Sequence, residues 1–255
     1  MKNNKIGILL NCRLESSRLP NKALKEIENQ NLIEHIIDRL KSNKITKKII
    51  LCIPKNKKNN PLEKIAKKKR IRCYRGSYYD VIYRLYCATK KFKLENVVIT
   101  GGDNPLVDIK NLKKLITYHI RNKNDFSKSY GLPWGSFSYV VNFNALEKVI
   151  ELKNTKFTEA WGDYFLKNKI FKSGSMKIVD KSYFFPKLRV TVDTKLDLKM
   201  MRIIYSIFYQ KNKIVDLKKV IKFCRKNKEV YKINSSVIQK KPLPVKFSNI
   251  KNIKL

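Results

Sequence analysis

The sequence predicts an α/β fold on a mostly parallel central sheet, and three observations carry that expectation. Short apolar runs alternate four times with stretches of helical period. The runs are apolar throughout, as in strands covered on both faces, rather than apolar at every second position. Two polar loops of unusual composition follow two of the runs, at the carboxyl strand ends where such sheets gather ligands.

Taken in order, residues 5–11 (KIGILLN) read as a buried strand, followed by a polar loop over 12–23. Leu32, Ile33, Ile36, Ile37 and Leu40 then share one helical face. KIILCI (48–53) is the second strand, and Pro61 opens a basic helix running to residue 69. A short third strand at 71–74 precedes a helix marked by Val81, Ile82, Leu85 and Ala88. NVVIT (96–100) is the fourth strand, broken by Gly101 and Gly102, before a helix carrying Leu112, Leu115 and Ile116. The second half predicts strands at 136–142 and 187–192 and helices at 145–152, 159–167, 196–208 and 216–225. Residues 1–229 read as one domain and 230–255 as an extended tail, with no internal repeat.

A hydrophobic share of 43% supplies a core for 255 residues and argues against wholesale disorder. Lys and Arg number 58 against 20 Asp and Glu, a formal charge of +38. That balance raises a nucleic-acid-binding reading. The basic residues are spread over every segment, however, with local peaks only at 55–58 and 67–72 and no basic arm. A composition biased towards lysine, asparagine and isoleucine accounts for this, and the diffuse field still attracts phosphorylated substrates. Five widely spaced cysteines without a C-x-x-C exclude a zinc ribbon and suit reduced thiols in the cytoplasm. No apolar run is long enough for a bilayer span, so membrane insertion is not expected.

Chemistry concentrates in three segments. CRLESSRLPNK sets Arg13, Arg18 and Lys22 beside Ser16 and Ser17, supplying the cations and donors that phosphates need. Pro20 stiffens the loop, and Asn21 can adopt a left-handed backbone in place of glycine. It is not a Walker A loop, and a solvated basic turn is the competing reading. Asp103 in ITGGDNPLVD and Asp193 in RVTVDTKLDL each end a predicted strand, where a carboxylate can hold Mg²⁺ or simply cap the next helix. His119 and His35 read as structural.

Together these segments resemble the CMP-sugar synthetases, most closely the spore-coat polysaccharide cytidylyltransferase-like branch. RLESSRLPNKAL (13–24) is similar to that group's N-terminal signature. RGSYYDVIYRLYCATKKF (75–92), TGGDNPLVD (100–108), LRVTVDTKLDL (188–198) and KINSS (232–236) match further motifs in the same order. The resemblance implies a Rossmann-like three-layer α/β/α nucleotide-diphospho-sugar transferase fold. It also implies Mg²⁺-dependent transfer of CMP from CTP to a sugar or sugar-acid acceptor, and it makes a homodimer plausible. On that basis Arg13, Ser16, Ser17, Arg18 and Lys22 contact the CTP phosphates, and Asp103 and Asp193 hold Mg²⁺. Arg75, Gly76, Ser77 and Asp80 lie near the nucleoside, while Asn104, Glu159, Trp161 and Tyr164 face the acceptor, the competing reading being a helix that packs Trp161 and Phe165 into the core. The chain departs from the pattern at Asn11-Cys12, Asn21, the paired glycines and Glu15, whose charge has to point away from phosphates. A glycosyltransferase using a preformed nucleotide sugar is the nearest rival.

Overall fold

The computed structural model describes residues 5–240 and 244–247. Strand β1 (Ile6–Asn11) is followed by a small hairpin, β2 (Glu26–Ile27) and β3 (Gln30–Asn31), that feeds helix α1 (Leu32–Lys41). Then come β4 (Ile49–Pro54), α2 (Asn60–Lys68), β5 (Arg72–Gly76), α3 (Val81–Lys91), β6 (Asn96–Gly101) and α4 (Leu112–Arg121). The second half adds β7 (Phe126–Tyr130), β8 (Tyr139–Asn142), α5 (Phe143–Leu152), α6 (Asp163–Leu166) and β9 (Ser173–Lys177). It closes with α7 (Lys195–Phe208), α8 (Leu217–Lys226) and α9 (Lys228–Lys232).

Seven strands form one sheet in the order β5-β4-β1-β6-β8-β7-β9, with β8 alone antiparallel to its neighbours. Two apolar clusters sandwich it. Ile8 and Leu10 of β1 face α1, α2, α4, α7 and α8, whereas Leu9 faces α3, α5 and α6. Both faces being covered is the physical reason the central strands carry no polar alternation. The register sets Asn11 opposite both Cys52 and Gly101, so the loops after β1 and β6 leave the sheet side by side.

Several expectations need correction. The strand expected at 136–142 pairs as a ladder only over Tyr139–Asn142; Ser136 N instead closes a turn onto Pro133 O at 3.1 Å. The helix expected at 159–167 shrinks to Asp163–Leu166. Strands β7 and β9, FSKSY and SGSMK, have too little apolar character to be read from sequence. The segment at 187–192 is extended but joins no sheet strand. Its backbone bonds go to loops instead: Trp134 N donates to Leu188 O (3.1 Å), Val190 N to Trp134 O (2.7 Å) and Val192 N to Asp103 O (2.8 Å). The expected tail from residue 230 begins inside α9, with Val230 and Asn234 buried; its last eight residues lie outside those described.

Candidate active site at the sheet edge

The phosphate-type loop between β1 and the turn at Lys22–Leu24 is rigid for reasons its sequence explains. Asn21 adopts φ 54° and ψ 29°, the left-handed conformation that asparagine tolerates. Asn21 N donates to Leu14 O at 3.1 Å, and Ser16 Oγ accepts from Leu19 N at 3.4 Å. Glu15 turns outward and accepts from Asn56 Nδ2 (2.8 Å) and Asn59 Nδ2 (3.0 Å). Burial alone would raise its pKa, but those amide donors hold it below the usual glutamate value. The residue that fitted a phosphate cradle least is therefore a structural anchor facing α2.

Beyond β6 the paired glycines let two loops touch. A Cβ on Gly102 would sit 2.5 Å from Cys12 Sγ, and Gly102 N donates to Asn11 O at 2.8 Å. This close approach leads Asp103 back over the loop. Its backbone carbonyl receives Val192 N, so Asp103 and the extended segment ending at Asp193 are joined main chain to main chain. Gly135 makes the seam possible: its φ is +91°, and a Cβ there would lie 2.5 Å from Thr191 N.

The result is an ion cluster. Lys22 Nζ lies 2.7 Å from Asp103 Oδ2 and 2.7 Å from Asp193 Oδ1. Arg18 reaches Asp193 at 3.1 Å, and Arg189 bridges Asp193 (2.7 Å) and Asp197 (2.9 Å). Three cations face three carboxylates, so the cluster is formally neutral. Burial opposes the Lys22 charge, yet Asp103 and Asp193 outweigh it and hold the ammonium above the ordinary lysine value. Burial likewise works against the Asp193 carboxylate, and Lys22, Arg18 and Arg189 together bring its pKa below the usual value. Arg18 Nη1 is buried without a partner, a donor left over for an incoming anion.

Four residues of this architecture were not singled out from sequence. Arg189 and Asp197 lie inside the LRVTVDTKLDL motif, but nothing local says that an arginine on the extended segment will hold Asp193 in place. Asn234 Nδ2 donates to Asp197 Oδ1 (2.8 Å) and Arg189 O (3.1 Å), which explains why KINSS returns to the site. Arg84 is fully buried and donates to Asn11 Oδ1 (2.8 Å) and to the carbonyl of Ser77.

Elsewhere the expected site residues separate. Ser17 is exposed on the loop, and Asn104 is half-buried beside Asp103. Gly76 and Ser77 pack against Arg84, with Ser77 Oγ accepting from Asp80 N at 3.1 Å. Arg75 is occupied by Glu63 and by Asn56 O at 2.6 Å. Asp80, expected near the nucleoside, is instead a buried cap of α3. It accepts from Tyr83 N (3.0 Å) and Thr158 Oγ1 (2.9 Å) and pairs with Lys153. Tyr164, expected on the acceptor wall, is in the core against Phe247. Trp161 is partly buried, edge-on to Tyr139 at 5.1 Å. Glu159 is exposed and pairs with Arg13.

Comparisons with known proteins show the family and the fold. The family model described as cytidylyltransferase matches residues 7–241. An uncharacterised protein of Methanocaldococcus jannaschii is 30% identical over 92% of this chain and 96% of its own. The spore coat polysaccharide biosynthesis protein SpsF of Bacillus subtilis is 24% identical, covering 80% of this chain and 87% of the relative. A cytidylyltransferase structure from Leptospira borgpetersenii superposes with a TM-score of 0.83 at 24% identity, over 93% of this chain and 99% of the other.

Proposed function

The chain belongs to the cytidylyltransferase family, and from that premise we propose that it transfers CMP from CTP to a sugar or sugar-acid acceptor, releasing pyrophosphate, in the assembly of a surface polysaccharide. The observation that carries the reading is the convergence of Arg18, Lys22, Asp103 and Asp193 at one carboxyl edge of the sheet, with Arg13 at the start of the same loop. The polysaccharide role is supported by the likeness to the Bacillus subtilis protein.

In this reading Arg13, Arg18 and Lys22 bind and align the phosphates, so that the acceptor hydroxyl lies in line with the Pα–O bond that breaks. An oxygen–phosphorus bond forms as the Pα–O bond to pyrophosphate breaks, and the proton of the acceptor hydroxyl passes to solvent. Asp103 and Asp193 are the residues that would hold Mg²⁺. Two carboxylates suit that ion, which keeps most of its coordination for water and phosphate oxygens, and among the described residues no larger carboxylate, His or Cys cluster competes. When bound, the metal neutralises charge on the reacting phosphate and on pyrophosphate. Lys22 now stands between the two carboxylates, which suits entry of the ion together with a triphosphate rather than alone. Glu159 and Trp161 border the acceptor side.

The test is a pyrophosphate-release screen of the four nucleoside triphosphates against a panel of sugar acids with Mg²⁺. CTP should be used, and Asp103→Asn should abolish turnover while leaving the fold intact, because the backbone and not the side chain of Asp103 forms the seam with Val192. Preference for another triphosphate, or near-normal turnover in Asp103→Asn, would overturn the proposal.

A further inference from the structure

Each of the three cations assigned to phosphate binding already has a carboxylate partner, and of them Arg18 alone keeps a buried donor without a partner, so engaging Arg13 or Lys22 fully means exchange with a carboxylate. The pairs are not equivalent. Lys22 and Asp193 have side chains only 13% and 11% exposed, whereas Arg13 and Glu159 are 33% and 42% exposed. An exposed pair is worth little and opens readily, while opening a buried one leaves an uncompensated charge. The outer pair is the one that exchanges first.

Glu159 is also held where it stands. Its neighbour Thr158 is fully buried, donates to Asp80 Oδ1 at 2.9 Å and accepts from Ile82 N at 3.0 Å. Thr158 N in turn donates to Tyr79 O at 3.3 Å. On the other side Trp161 packs against Tyr139 and Phe126. The strap crossing from residue 157 to 161 thus presents a carboxylate to the first arginine of the loop from a fixed backbone. Asp80, Lys153 and Thr158 all hold that placement.

We propose that Glu159 is a built-in competitor of the triphosphate: it pairs with Arg13 and yields it to the nucleotide. The inference rests on the cytidylyltransferase reading given above. One consequence is order, since the Glu159 carboxylate becomes available beside Trp161 only once nucleotide has taken Arg13.

The test is a double-mutant cycle on CTP binding with Mg²⁺, read by calorimetry on the full chain. Glu159→Gln should tighten CTP binding by roughly two- to fivefold, the range an exposed ion pair supports. In an Arg13→Gln background the same substitution should change nothing. Glu95→Gln, which releases Lys5 at the opposite, amino end of β1 and β6, is the control for the general positive field and should leave the affinity unchanged. An unchanged or weaker affinity in Glu159→Gln overturns the proposal, as does equal tightening in both Arg13 backgrounds. Failure of the wild-type chain to bind CTP would instead strike the cytidylyltransferase reading itself.

Discussion

Asp197→Ala is the perturbation that most directly probes how the ion cluster is built. Asp197 is fully buried and accepts from Arg189, Asn234, the backbone N–H groups of Asp193 and Thr194, and Thr194 Oγ1. It is also the third residue of the α7 capping box. Removing one partner of a buried ion pair costs roughly 3–5 kcal/mol. Arg189 keeps Asp193, which places the loss near the low end of that range, and the broken cap adds about 1 kcal/mol. The sum is about 4 kcal/mol, or a fall in Tm of about 10 °C for a domain of this size. Asp197→Asn keeps an oxygen for the backbone donors and should lose about half as much. Arg189→Met combined with Asp197→Ala should be less destabilised than the sum of the two single changes, because no buried charge is left alone. Urea unfolding measures these differences, and pyrophosphate release below the melting range reads how far Asp193 has drifted. A loss under about 1 kcal/mol in Asp197→Ala would refute the reasoning.

Three further outcomes are expected. Burial pushes His119 down from 6.5 to about 4, and its Nδ1 lies 3.0 Å from Ser127 Oγ. The unfolded chain therefore binds the proton first, and the contribution, about 3 kcal/mol, is present above pH 6.5 and lost as pH falls towards 4. His119→Gln should flatten stability across that window, which denaturant melts at stepped pH would show. Gly135→Ala should cost about 2 kcal/mol and depress activity, since its backbone conformation and the contact at Thr191 both resist a side chain. Full stability in that variant would mean the seam is looser than described. Finally, Mg²⁺ alone should leave the thermal midpoint unmoved, because the cluster is already neutral, while Mg²⁺ with CTP should raise it; a rise with the ion alone would contradict that charge balance.

Much of the fold was legible for a simple reason. A strand buried on both faces has to be apolar at every position, and β1, β4 and β6 announce themselves that way. β7 and β9 do not, because their polar stretches form strands only through pairing with the rest of the sheet. The loop chemistry was legible too, since phosphates need cations and donors in a fixed array. Asn21 even shows the left-handed backbone its residue type suggested.

The sequence by itself thus determined the central strands of the sheet, the carboxyl edge and the charged groups gathered there. What only the tertiary structure decided is which of those groups face one another. Lys22 meets Asp103 and Asp193 across 81 and 171 residues of chain. Glu15 turns to Asn56 and Asn59, Asp80 turns inward to cap α3, and Tyr164 joins the core. A local pattern records how a backbone is inclined to fold and what chemistry a segment carries. The direction of a charged side chain is settled by partners far away in sequence, because burying its charge is tolerable only where they are.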